Sequence, residues 1–425
     1  MKCYISLGSN LGDRLQNLRT AARKLPILRV SPLFHVPALL PPDAPPDWNI
    51  PFYNAVVEIR WSDSPEDLLA FLQKIEIEMG RLRSKRWAPR LIDLDLILFG
   101  DQIIEEPHLL VPHPEMSRRS FVLDPLSHLS PSLLPPMMNQ TVLDRARRQP
   151  GHQPLWMGIL NLTPDSFSDG GELAETSIWQ ARLSEMEETG VHIFDLGGES
   201  TRPGAQAVAL TEEWRRIEPV LLALKDRDRL FSPWISVDTR SAATARRALE
   251  HGADMINDVS GLADPQMVEV LQESSCQYVL MHSMTIPPQA DATLPANENP
   301  VSYLMAWALQ KLDELTRLGI HLDRILFDPG IGFGKTAAQS IEIIQHIKAF
   351  QELPVRLLVG HSRKSFIKSL VDNCSKDRDW ESQGISLRLG DAGVDVIRVH
   401  RPVIHMKAFE AYHKARPAKT ELLGR

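Results

Sequence analysis

At 425 residues the chain exceeds what one hydrophobic core usually supports, so two domains are expected. An apolar share of 43% and a charged share of 24% suit a soluble protein with a core in each half. The net charge of −7 argues against a general nucleic-acid binder, while leaving room for local basic pockets. No apolar run approaches the ~18 residues of a membrane helix. The start, Met1-Lys2-Cys3-Tyr4, reaches Gly8-Ser9-Asn10 too soon for a signal-peptide core. Cys3, Cys276 and Cys374 are widely spaced and form no C-x-x-C pair. These features predict a reduced, cytoplasmic protein that binds neither membrane nor nucleic acid.

Along the first half, Tyr4–Leu7 has strand character, Leu11–Leu25 helical character and Leu28–Phe34 strand character again. Phe52–Trp61 is a third strand, followed by a helix from Ser64 to about Gly80. Ser64 reads as its N-cap, Pro65 takes the first helical position, and Asp67 puts a carboxylate where a capping box has Glu. Ile92–Phe99 is a fourth strand. The order β-α-β-β-α-β predicts a ferredoxin-like α+β domain with helices on one face of the sheet. Prolines at 37, 41, 42, 45, 46 and 51 mark a long loop, which reads either as a functional lid or as an extended linker.

After a helical stretch ending at Arg145–Arg148, Gln149-Pro150-Gly151-His152-Gln153-Pro154 has linker composition. The expected domains are therefore 1–148 and 155–425, joined by 149–154. In the second domain eight apolar strand-like segments recur, each followed by a helical stretch. They are Trp156–Leu160, His192–Leu196, Trp234–Val237, Met255–Ile256, Tyr278–Met281, Ile325–Phe327, Arg356–Val359 and Val396–Val399. Eight such units predict a TIM (β/α)8 barrel, with a doubly wound sheet as the alternative.

The distribution of polar residues favours the barrel. Asn161, Asp195, Asp238, Asn257 with Asp258, His282, Asp328, Ser362-Arg363-Lys364, and Arg398 with His400 fall at the ends of successive strands. In a barrel those ends converge on one mouth, where active sites form. Arg398 and His400 share a face, and with Arg363 and Lys364 they suit an anion. Asp328-Pro329-Gly330-Ile331-Gly332-Phe333-Gly334-Lys335-Thr336 is not a P-loop, because Pro329 stands where that motif needs its first glycine. In the first domain, Asp93-Leu94-Asp95 on a strand places two carboxylates on one face. Alone this is more often a solvated face. Arg81, Arg83, Arg86 and Arg90 just upstream favour a nucleotide polyphosphate held with Mg²⁺.

Several ordered motifs carry a resemblance. Gly8-Ser9-Asn10, Phe52-Tyr53-Asn54-Ala55, Arg86-Trp87-Ala88-Pro89-Arg90 with Leu91 to Asp95, and Val111-Pro112-His113 resemble the 6-hydroxymethyl-7,8-dihydropterin pyrophosphokinases over about 1–145. The run Met157 to Gly171, Gly197 to Gly204, the 328–335 loop, Ser362 to Ser365 and Arg398-Val399-His400 are similar to dihydropteroate synthases over 155–410. The first resemblance implies pyrophosphoryl transfer from ATP to the pterin, with AMP released. It implies two Mg²⁺ on Asp93 and Asp95, and ATP contacts from Gln73, Glu76, Arg81, Arg83, Trp87, Arg90, His113 and Arg119. Pro37, Leu39, Phe52, Asn54 and Phe121 would meet the pterin, and Arg81 and Arg90 would assist catalysis.

The second resemblance implies condensation of the pterin pyrophosphate with p-aminobenzoate. Asp238, Asn257, Met281, Asp328, Lys364 and Arg398 would hold the pterin, with Lys364 catalytic. Asn161, Thr201, Arg398 and His400 would hold pyrophosphate, Asn161 through one Mg²⁺. Arg202, Pro203, Phe333 and Ser362 would line the p-aminobenzoate path, and pairing of barrels in a homodimer is implied. The sequence departs from these patterns at Val36, Pro114 and Arg401-Pro402, none of them a metal or pterin position. A pterin-dependent methyltransferase, or a protein with one degenerate half, is the competing reading.

Overall fold

The computed structural model describes residues 1–81, 87–163, 171–286, except 201–207, and 288–415, except 290; for 171–175 it describes the backbone. Among the described residues, contacts group 1–152 and 228–232 into one compact unit, and 153–227 with 233–415 into another.

The first unit is built on β1 (Lys2–Ser9), β2 (Ile27–Val30), β3 (Phe34–Val36), β4 (Phe52–Arg60) and β5 (Asp93–Phe99). They form an antiparallel sheet in the order β2-β4-β1-β5, with β3 also paired to β4. The expected single strand Leu28–Phe34 is thus two. Pro32 has no N–H to offer the ladder. Ser31 bridges the gap: its N–H donates to the Val56 carbonyl and its hydroxyl accepts from the Val56 N–H, both at 2.9 Å. Helix Pro65–Glu78 begins as expected, with Ser64 Oγ accepting from the Asp67 N–H at 3.1 Å.

Strand alternation divides the sheet into two faces, and both are covered. Cys3, Ile5, Leu7, Val57, Ile59 and Leu94 pack with Leu18, Leu68 and Leu72 of the two expected helices. On the opposite face Tyr4, Val56 and Ile97 pack against Val122, Leu123 and Leu126 of helix Ser120–Leu129. Helices therefore lie on both faces, not one. The short hairpin β6 (Ile104–Glu106) and β7 (Leu109–Val111) also joins this unit.

The second unit is a closed barrel of parallel strands. These are β8 (Leu155–Asn161), β9 (Ile193–Gly197), β10 (Trp234–Asp238), β11 (Met255–Asp258), β12 (Gln277–Met281), β13 (Ile325–Asp328), β14 (Arg356–Gly360) and β15 (Val396–Val399). Consecutive strands are neighbours, and β15 closes onto β8, which excludes the doubly wound alternative. Leu160, Leu196, Val237, Ile256, Leu280, Phe327, Val359 and Val399 face outward, packed with helical residues such as Ile217, Leu304 and Leu389. Alternation then turns Asn161, Asp195, Asp238, Asn257, Met281, Asp328 and Arg398 inward. Among the described residues no helix is long and apolar enough to cross a membrane.

Candidate active sites on the sheet and in the barrel mouth

In the first unit the site grows from strand register. Gly8 on β1 lies between Asn54 on β4 and Asp93 on β5, and Ser6 lies beside Asp95. All lie on the face covered by helix Ser120–Leu129, past the end of its apolar packing. A Cβ on Gly8 would come within 3.0 Å of Asn54 Oδ1, so glycine keeps this end of the face open. Asp93 receives Arg81 at 2.8 Å and Arg90 at 3.1 Å. Burial, reinforced by the Asp93 charge, pushes the Asp95 carboxyl up to about 7.

Glu76 is buried, and burial raises its pKa. It accepts from the Leu94 N–H at 2.8 Å and from Arg81, so it ties helix Pro65–Glu78 to the acidic strand. His113 Nδ1 accepts from the Glu115 N–H at 3.1 Å, while burial and Arg119 push its pKa down, which keeps the ring neutral. The Arg119 guanidinium lies 5.5 Å from the centre of the Phe121 ring. Buried Nε atoms of Arg90 and Arg119 have no partner among the described residues. Two unpartnered cationic donors beside two carboxylates form a donor set for a polyanion bound with a divalent cation.

Gln73 and Pro37 are exposed and Leu39 is half-buried. Trp87 adopts a left-handed backbone, φ +72. Arg83 and Arg86 lie outside the described residues.

In the barrel, Arg398 is the centre of the mouth. Its Nε donates to Asp195 and its Nη2 to Asp238, each at 2.6 Å. Asp195 also accepts from Ser236 Oγ at 2.6 Å and from Asn257 Nδ2 at 3.2 Å. Burial pushes Asp238 up to about 7, against the pull of Arg398 and with Asp195 adding. Asp328 Oδ1 accepts from the Gly330 N–H at 2.7 Å, and burial raises its pKa. Lys364 donates to the Ile331 carbonyl and stands 4.6 Å from the centre of the Phe333 ring; burial lowers its pKa to about 8. Ser362 Oγ lies 3.1 Å from His400 Nδ1.

Three sequence expectations change. Asp195 does not follow its strand but sits within β9, fully buried, and it organises Arg398 and Asn257 from below. Asp258 points out of the lumen. It accepts from the Ser260 and Leu262 N–H groups and from Tyr278 Oη, and so shapes a turn. Arg363 is not a free cation of the mouth, because Asp379 takes its guanidinium in a two-point pair at 2.7 and 2.8 Å. Asn161 ends β8 half-buried and Met281 ends β12 buried. Thr201, Arg202 and Pro203 lie outside the described residues. Residues just after a strand were legible as a group; Asp195 carried no signal beyond being an acid inside an apolar strand.

Acid pairs beneath arginines in one unit and a charged barrel mouth in the other define a two-domain enzyme with two separate centres. Residues 4–131 match the family described as 7,8-dihydro-6-hydroxymethylpterin-pyrophosphokinase, and 157–400 the family described as pterin binding enzyme. The folate synthesis bifunctional protein of Chlamydia caviae is 34% identical over 93% of this chain and 94% of its own. A dihydropteroate synthase structure from Anaplasma phagocytophilum, with bound 6-hydroxymethylpterin-monophosphate, is 34% identical with a TM-score of 0.57. It covers 62% of this chain and 99% of that one. One from Xanthomonas albilineans, with 4-aminobenzoic acid, is 35% identical with a TM-score of 0.56, over 62% and 94%. The chain belongs to the bifunctional folate-synthesis family, with pyrophosphokinase and dihydropteroate synthase activities in one polypeptide.

Proposed function

We propose that the first domain transfers the pyrophosphoryl group of ATP to the hydroxyl of 6-hydroxymethyl-7,8-dihydropterin, releasing AMP. The barrel then joins that product to p-aminobenzoate. The observation that carries this reading is the Arg398 guanidinium held by Asp195 and Asp238 at 2.6 Å each, with Lys364 and Asp328 beside it. That floor offers carboxylates to the N–H edge of an aminopyrimidine and cations to the leaving anion.

In the first domain, Arg81 and Arg90 would turn from Asp93 toward phosphate oxygens, and the unpartnered Nε of Arg119 would meet another. The pterin hydroxyl oxygen bonds to the β-phosphorus and gives up its proton as the phosphorus–oxygen bond to AMP breaks. Asn54 would read the pterin edge, and Phe52 and Phe121 would stack on its faces. Asp93 and Asp95 would hold Mg²⁺, two ions with ATP, which neutralises charge on the triphosphate. Among the described residues no three His, Cys, Asp or Glu side chains gather as a complete metal cage. A carboxylate pair that leaves phosphate and water to fill the shell suits Mg²⁺.

In the barrel, the amine nitrogen bonds to the pterin methylene as the C–O bond to pyrophosphate breaks, and the amine sheds a proton. Arg398 and His400, with Thr201, would stabilise the departing anion, and the amide oxygen of Asn161 would help hold its Mg²⁺. Phe333 and Ser362, with Arg202 and Pro203, would flank the p-aminobenzoate. Incubating the chain with hydroxymethyl-dihydropterin, ATP, Mg²⁺ and p-aminobenzoate tests the whole. AMP and dihydropteroate are expected; AMP alone would overturn the assignment of the barrel.

A further inference from the structure

The glycine-rich loop after β13 contains a buried cation that the chemistry above does not use. Lys335 is 7% exposed, and its Nζ has three neighbours at hydrogen-bond distance. They are His282 Nδ1 at 2.8 Å, the His282 carbonyl at 2.9 Å and the Phe333 carbonyl at 3.1 Å. Three acceptors match the three N–H donors of an ammonium. These acceptors favour the charged form, against burial, which presses its pKa well down. His282 must be neutral to accept at Nδ1, and burial together with Lys335 holds it there, its pKa near 3.

His282 is itself a fixed point. It follows β12 directly, and its ring stands edge-on to Trp307 at 4.9 Å and to Tyr303 at 5.9 Å. The loop lies tightly against it: Gly330 has φ +66, and a Cβ there would collide with the His282 carbonyl. Lys335 thus clamps its own loop to the end of a barrel strand. From this clamped turn two groups reach the mouth. The Ile331 carbonyl accepts from Lys364, and the Phe333 ring lies 4.6 Å from the same ammonium.

We propose that Lys335 is a positioning residue for the condensation, setting the Phe333 ring and the Lys364 ammonium through its bonds to Phe333 and His282. The proposal rests on the reading of the barrel as the half that takes p-aminobenzoate. In its absence the turn loses its tie to β12, and Phe333 loses its place beside the incoming ring. Water then reaches Lys364, whose lowered pKa depends on burial.

The test uses the full chain with Lys335→Met, which keeps the length of the side chain and removes its donors. The KM for p-aminobenzoate should rise roughly tenfold or more, the scale of one lost charge-assisted hydrogen bond. The kcat should change less, and the alkaline limb of the synthase pH profile should move above about 8. Lys335→Gln, with two N–H donors, should recover part of the KM, and it decides the matter if the methionine variant does not fold. A purely structural role would lower the barrel's melting temperature without moving either the KM split or the pH limb, and that result overturns the proposal. If the wild-type chain forms no dihydropteroate, the functional reading falls and this inference with it. If the wild type is active and both folded variants match it, only the inference falls.

Discussion

Arg398 on β15 reaches past β8 to Asp195 on β9, where its Nε donates to a carboxylate with no solvent exposure at 2.6 Å. The contact sets the orientation of a guanidinium that, in the proposed function, faces both the pterin and the leaving pyrophosphate. Asp195→Asn keeps the shape and removes the charge. It should reduce synthase turnover by roughly tenfold to a hundredfold, the equivalent of ~1.5–3 kcal/mol for a charged hydrogen bond. AMP formation should be unchanged. Steady-state assays of both activities on one preparation check this, and an unaffected synthase would contradict the role.

Asp93 is the carboxylate shared by Arg81 and Arg90. Removing it in Asp93→Ala takes away a proposed metal ligand and the pairing that places both arginines. AMP formation should fall by at least about a hundredfold, a barrier increase of roughly 2.7 kcal/mol or more. The same variant should still condense pre-formed pterin pyrophosphate with p-aminobenzoate. Failure in that second assay by a folded protein would mean the centres are not independent.

Lys364 has an ordinary pKa of 10.5 that burial lowers to about 8. Its ammonium is the donor, so synthase activity should decline as pH rises through about 8, not 10.5. Lys364→Ala should remove that limb and cost roughly tenfold to a hundredfold in turnover. A pH–rate profile of both proteins is the measurement. A limb that persists in the alanine variant belongs to another group.

Acid should destabilise the barrel through histidines buried neutral. His192 accepts from the Trp156 N–H at Nδ1, 3.1 Å, and burial lowers its pKa to about 4. His361 and His405, bridged by Ser386 Oγ at 3.1 and 2.8 Å, are held near 3 and 4 by burial. Each folded pKa lies below the unfolded value of 6.5, so between 6.5 and about 4 the unfolded chain binds more protons. Stability is present above 6.5 and is lost as pH falls, by up to about 1.4 kcal/mol per pH unit for each histidine. Asp238, raised to about 7, acts with the opposite sign, as do Asp328 and Glu213, which burial also raises, while His282, lowered to about 3, adds to the histidine side. Denaturation of the barrel across this range should show the decline, and His192→Asn should make it shallower. Equal slopes would remove His192 from the account.

Much of both halves was legible because local rules act along the chain. Strand period two put Asp93 and Asp95 on one face whatever packed around them, and Ser64 and Pro65 started a helix from propensity alone. Eight apolar segments with polar ends sufficed for a barrel, since parallel strands with their crossovers have few ways to close.

The amino-acid order by itself determined the two architectures, the strand carrying the acid pair, and which strand ends carry polar residues. Only the tertiary structure decided which of those residues share a site. Asp195, Asp258 and Arg363 are all charged and lie in or near strand ends. One turns inward to Arg398, one outward to Tyr278, and one is taken by Asp379. Lys335 and His282 stand 53 residues apart, and nothing local marks them as partners. Such pairings arise when barrel closure brings distant strands within hydrogen-bond reach and removes the water that would otherwise satisfy each charge singly, so every buried ion must find its partner across the fold.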